Sequence, residues 1–347
     1  MSGAFGWGGK DRAADHKNNG GTGGFGSAYG AYQPSAASPP PVRGGPSVAG
    51  VPPVPPSVVA LADLTAKDLT TDAENVLLVS MDVTGSMGAW RDEIFKRMPL
   101  LYKEAQALLG QSLTVLFIAF GDVKFGDRIW VTKFGAGPEL DGLLTSLPRS
   151  ARGGGDEEES PEMVALYVLK RVDVSRARNV YYWTITDERA AAEIDSHRAR
   201  DHVGVTLGAE DPRTTRAVFD SLALKMRPFV VLRRADDMPY DVGRIRASWE
   251  QTVGKERVLP LDDGRRVVDV MLAVVAKTTG QTAAFQASLL ARQGGTKFGA
   301  VNIDAVQRSV ALVPDGAAPL QIPVTRSKCL VPDGAAPMTA VPARKQP

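Results

Sequence analysis

Unbroken apolar runs of strand length alternate, through the middle of the chain, with stretches whose apolar residues recur every three or four positions. Residues 75–82 (NVLLVSMD), 113–120 (LTVLFIAF) and 179–186 (NVYYWTIT) are nearly continuous runs, the pattern of strands buried on both faces. From Trp90, the apolar positions Ile94, Met98, Leu101, Ala105 and Leu108 lie on one face of a helix. Pro99 falls inside that helix, where a proline is expected to kink the chain near Phe95. GDVKFGD at 121–127 reads as a turn into an edge hairpin strand over 129–134. Further helices are predicted over 161–172, in the Glu/Ala-rich stretch directly after 186, over 213–225, and over 265–278 behind the N-cap candidates Asp262 and Asp263. Another follows to about 291. Short strands are predicted at 229–232 and 257–259. Alternating strands and helices imply an α/β fold, a doubly wound, mostly parallel sheet with helices on both faces. Ligands of such sheets collect beyond the carboxyl ends of the strands.

The ends of the chain differ from its middle. Residues 1–30 carry ten glycines and residues 34–56 nine prolines, a composition that does not bury enough apolar surface to offset its ordering entropy. LVPDGAAP occurs at 312–319 and again at 330–337, and Pro-Asp-Gly is turn chemistry. The expected division is a disordered Gly/Pro-rich tail over 1–58, one domain over 59–294, and a disordered Pro/Ala-rich tail with the repeat over 295–347. With 41 basic and 39 acidic residues the net charge is +2, which gives no electrostatic case for nucleic acid. Cys329 is the single cysteine, so an intrachain disulfide and a cysteine-based zinc cluster are excluded. No apolar run reaches the ~18 residues of a membrane span, and the N-terminus lacks a signal-peptide core. A cytoplasmic protein is the expectation.

Three polar clusters fall at predicted strand ends: Asp82-Val83-Thr84-Gly85-Ser86-Met87-Gly88, Arg152-Gly153-Gly154-Gly155-Asp156-Glu157 and Thr186-Asp187-Glu188. Asp82, Thr84 and Ser86 alternate, so an extended turn points all three the same way. A carboxylate with two hydroxyls is a hard, all-oxygen donor set, suited to magnesium or manganese better than to calcium. Asp187 closes the set from a neighbouring strand, and the glycines let Asp156 approach. Glu157-Glu158-Glu159 reads as a solvated acidic face at a helix N-terminus. Tyr181-Tyr182-Trp183 reads as sheet packing, and Trp90 as core rather than site rim.

At these residues the chain resembles the von Willebrand factor A domain, and within it a bacterial and phage subgroup. DVTGS is similar to the family's DxSxS metal-ion-dependent adhesion motif (MIDAS), with Thr84 in place of the first serine, and Thr186-Asp187-Glu188 to its strand-terminal aspartate. In the loop that usually supplies a threonine, Asp156 takes that place. Met98–Tyr102, Gly121–Phe134 and Arg257–Asp262 match further elements of the subgroup. The resemblance implies a Rossmann-like domain over roughly residues 72–280. It also implies a divalent cation held by Asp82, Thr84, Ser86, Asp156 and Asp187, an acidic side chain of a protein partner in the open coordination position, and a MoxR-type AAA+ ATPase as a partner class.

A serine hydrolase using Ser86 needs Gly-x-Ser-x-Gly, and Thr84-Gly85-Ser86-Met87-Gly88 lacks the first glycine. His197 and His202 are the candidate bases. Gly9-Lys10 and Gly254-Lys255 are followed by Asp11 and Glu256, so neither is a P-loop. A structural role in a phage particle or multiprotein assembly, with the tails as tethers, is the third reading. The binding module, not an enzyme, is the expectation.

Overall fold

A computed structural model describes residues 58–60, 69–149, 151–153, 157–234 and 241–316. Residues 1–57 and 317–347, the greater part of the two expected tails, lie outside the described residues, as does Asp156.

The three apolar runs form the strands they predict: β3 (Asn75–Asp82), β4 (Leu113–Phe120) and β8 (Asn179–Thr186). They sit side by side and parallel at the centre of a seven-stranded sheet. In chain order the remaining strands are β1 (Val58–Ala60), β2 (Leu69–Thr70), β5 (Trp130–Thr132), β6 (Glu158–Glu159), β7 (Val172–Asp173), β9 (Arg189–Ala190), β10 (Arg227–Arg233) and β11 (Val258–Leu261). The main sheet has the order β1-β5-β4-β3-β8-β10-β11, and β2-β7 and β6-β9 are two-stranded pairs. From β3 the chain winds outward one way through β4 and β5, then returns to the other flank of β3 and winds out through β8, β10 and β11. The order therefore reverses between β3 and β8, and in sheets of this kind ligands collect at the carboxyl ends of the strands at that point.

Nine helices are described: α1 (Trp90–Leu109), α2 (Glu139–Ser146), α3 (Pro161–Arg171), α4 (Ser196–Val203), α5 (Thr215–Ala223), α6 (Val242–Val253), α7 (Val267–Thr278), α8 (Thr282–Gln293) and α9 (Gly299–Ser309). Strand side chains alternate between two cores. Leu77, Val79 and Met81 of β3, with Tyr181 and Trp183 of β8, pack under α1, α2, α7, α8 and α9. Val76, Leu78, Val180 and Tyr182 pack under α3, α4, α5 and α6. Both faces are covered, which is why the central strands read as apolar throughout. Tyr181 stacks on Trp183 with centroids 6.1 Å apart, and Trp183 on Phe229 at 5.2 Å, as sheet packing requires. Trp90 is 8% exposed and lies in the first core.

Several expectations are corrected. The strand β5 is not an edge, because β1 pairs antiparallel on its outer side, Val58 opposite Thr132. No helix follows β8 directly: Arg189 and Ala190 pair with Glu158 and Glu159, and α4 starts only after Asp195, whose carboxylate accepts from the His197 and Arg198 amides. The domain does not end at 294. Val306, Val310 and Val313 are buried in the first core, so α9 and the turn after it belong to the fold. The first copy of the repeat begins there. Asp315 pairs with Lys277 at 3.1 Å and accepts from the Thr282 hydroxyl at 3.3 Å, while the Gly316 amide donates to the Lys277 carbonyl at 2.9 Å. Gly316 holds φ +68°, a left-handed value that glycine adopts without strain. Among the described residues no helix is long and apolar enough to cross a membrane.

Candidate functional site

The carboxyl ends of β3 and β8 carry the alternating motif. Asp82 ends β3 and is fully buried. Its Oδ1 accepts from the Thr84 amide at 2.8 Å and the Thr84 hydroxyl at 2.6 Å, and its Oδ2 from the Thr186 hydroxyl at 3.1 Å. The Thr84 and Ser86 hydroxyls lie 3.0 Å apart, and Ser86 Oγ donates to Asp187 Oδ1 at 3.1 Å. Asp82, Thr84, Ser86 and Asp187 thus form one continuous chain of side-chain oxygens, contributed by two parallel strand ends. Ser86 is half-buried and Gly85 is exposed, so the chain opens to solvent at the Ser86 end.

Arg233, the last residue of β10, completes the arrangement. Its Nη1 donates to Asp187 Oδ2 at 3.2 Å and to the Ser86 carbonyl. The guanidinium side chain is 9% exposed and the Asp187 side chain is fully buried. Sequence reasoning missed this residue.

Arg152 and Gly153 are fastened to the same edge by Asp127, which accepts from the amides of Asp122 (3.2 Å), Arg152 (3.0 Å) and Gly153 (2.9 Å). Gly121 must be glycine, since a Cβ there would lie 2.5 Å from both Asp127 Oδ2 and the Ala151 methyl. Gly153 has φ +69°. A Cβ on it would sit 3.2 Å from Glu159 Oε1 and 3.4 Å from Thr84 Cβ, so the loop, Glu159 and the motif are in close contact. The acidic run is not a solvated face. Glu157 pairs with Arg244 and Glu158 with Arg189, each at 3.2 Å, and Glu159 is only 3% exposed.

Burial sets the electrostatics. Asp82 is pushed up to about 7, first by desolvation and then by the charge of Asp187, against the hydrogen bonds from Thr84 and Thr186. Desolvation also raises Asp187, and the Arg233 charge opposes it. Glu159 rises to about 11 through burial and the neighbouring Asp82, Glu188, Asp122 and Asp127, and is neutral at ordinary pH. Two close, dehydrated carboxylates with two hydroxyls are a hard-oxygen set that a divalent cation would relieve, so the donor chemistry fits such an ion. Among the described residues no group of three Asp, Glu, His or Cys side chains is arranged as a metal site. A cation here would therefore rest on the two aspartates, the hydroxyls and water.

Of the five predicted ligands the structure brings four together, Asp82, Thr84, Ser86 and Asp187; Asp156 lies outside the described residues. The Ser86 hydroxyl has Thr84 and Asp187 as partners, while His197 Nδ1 lies 3.4 Å from Arg200 on α4.

No protein-family model matches the chain, and no curated protein matches it. Among solved structures it is similar to the pilus adhesin SpaC from Lactobacillus rhamnosus GG in its open conformation: 14% identity, TM-score 0.43, covering 61% of this chain and 31% of the adhesin. A second structure of the same adhesin aligns at 15% identity and TM-score 0.41, covering 61% and 32%. The aligned region spans about a third of the adhesin, and likeness at this level fixes neither family nor function.

Proposed function

We propose that the chain is a doubly wound A-type domain, similar to the von Willebrand factor A family. In this reading it holds a divalent cation, magnesium or manganese, at Asp82, Thr84, Ser86 and Asp187, and uses the open coordination position to bind an acidic side chain of a protein partner. The observation that carries the reading is the oxygen chain itself. Four hard donors, linked by contacts of 2.6–3.1 Å, meet at the carboxyl ends of β3 and β8, where the strand order reverses. A carboxylate–cation contact in a partly dehydrated site is less screened than in water, which gives such a site its grip. Asp156 is the further ligand the sequence nominates, and a MoxR-type AAA+ ATPase is the partner class implied by the resemblance. Calorimetric titration with magnesium and manganese tests the site: the parent should bind one ion and Asp82→Ala none. Equal binding by both proteins removes the cation from the reading. A pull-down with and without chelator then asks whether partner capture follows the metal.

A further inference from the structure

The proposed cation site contains an organic cation of its own. Arg233 reaches from the end of β10 to both halves of the site, donating to Asp187 at 3.2 Å and to the carbonyl of Ser86. Its side chain is 9% exposed, so its charge acts through protein rather than through water. It faces Asp187 Oδ2, whereas Ser86 approaches Oδ1 of the same carboxylate. The guanidinium and the Ser86 hydroxyl therefore engage different oxygens of one aspartate.

We propose that Arg233 is a built-in counter-charge that weakens the site's hold on its metal ion and, in exchange, makes the loaded site select an anionic ligand. The argument rests on the cation-site reading above and follows from charge alone. Two aspartates would neutralise a divalent ion and leave little attraction for a further carboxylate. A fixed guanidinium beside one of them takes up part of its charge. The bound metal is then held less tightly and keeps net positive potential toward the solvent-facing side, where Ser86 is half-buried and Gly85 exposed. The two effects have opposite signs, which separates this role from that of a mere strut between Ser86 and Asp187.

The experiment compares the parent, Arg233→Gln and Arg233→Lys for manganese affinity, read by electron paramagnetic resonance of free ion. Binding of glutarate, a dicarboxylate probe, is read by the loss of water-proton relaxation at the bound manganese. The expected result is that Arg233→Gln binds manganese about tenfold more tightly and glutarate about tenfold more weakly, with Arg233→Lys close to the parent. If Arg233→Gln does not fold, Arg233→Lys with glutarate titrated across salt concentration carries the test. Lysine keeps the charge without the planar fork, so near-parent manganese affinity and glutarate binding that falls as salt rises are expected, and loss of both in Arg233→Lys overturns the inference. Unchanged values for both probes in a parent that binds manganese overturn the inference and leave the cation site standing. Weakening of both together makes Arg233 a strut and also overturns it. A parent that binds no manganese sinks the cation site and this inference with it.

Discussion

Asp82 answers to two opposed demands. It is fully buried, yet three donors, the Thr84 amide and the Thr84 and Thr186 hydroxyls, point at it as they would at an anion. With its carboxyl raised from 3.8 to about 7, the folded chain holds a proton across that window that the unfolded chain releases. Stability without metal should therefore fall as the pH rises from about 4 to about 7, and stay lowered above that. Asp82→Asn removes the charge and keeps most of the hydrogen bonds. In chelator its melting temperature should exceed the parent's at pH 8 and match it more closely at pH 5, while the upward shift on adding manganese, present in the parent, should vanish. Thermal scans at the two pH values, with and without metal, check both halves. At this scale the motif was legible because Asp82, Thr84 and Ser86 are neighbours in one turn, so local geometry alone aims them together. Arg233 was not. It meets Asp187 from a position 46 residues away, and an arginine closing an apolar strand carries no mark of its partner. Glu159 was misread for the same reason, since nothing local distinguishes a buried glutamate from its two paired neighbours.

Among the elements, the long ones were written plainly. Each eight-residue run became a central strand with unchanged ends, because burial on both faces favours a nearly continuous apolar run. Two- and three-residue strands such as β1, β6 and β9 are too short to show a period. The helix α6 was overlooked although Ile245, Trp249 and Val253 mark one buried face at helical spacing. Packing between elements supplies a sharp test at Gly264, in the one-turn 3-10 segment Gly264–Arg266 ahead of α7. A Cβ there would lie 2.9 Å from Trp90 Cδ2 and 3.0 Å from its Cγ. The indole is buried in the first core at the start of α1 and has little room to yield. Gly264→Ala should cost about 1–3 kcal/mol, the usual range for overpacking, read as a lower midpoint in urea followed by circular dichroism. An unchanged midpoint would mean that α1 and the turn before α7 are not rigidly seated against each other.

For the whole molecule, composition placed the end of the domain too early. The Pro/Ala-rich composition and the repeat suggest a tail, but Val306, Val310 and Val313 recur at spacings of four and three and are all buried against the first core. A chain stopped at residue 294 should lose several kcal/mol, since burying each valine contributes ~1.5–3 kcal/mol. A chain stopped at residue 317 should unfold in urea at the parent's midpoint. Equal midpoints for the two truncations would show that α9 contributes nothing. The mostly parallel character of the sheet, by contrast, followed from the alternation of patterns, because a parallel strand pair demands a crossover and the crossovers are the helices.

The clasp that Val313, Asp315 and Gly316 make with α7 and α8 has a consequence at the level of the gene. The same eight residues recur at 330–337, so Val331, Asp333 and Gly334 repeat the three that close the fold. Unequal recombination between the two copies would excise residues 312–329 in frame and deliver the second copy to the place of the first. The shortened protein would carry the same clasp directly after Ala311, and its thermal midpoint should equal the parent's. Deletion of residues 312–337, which removes both copies, should not be tolerated in the same way. A parent-like midpoint for the first deletion and a lowered one for the second would show that either copy closes the domain.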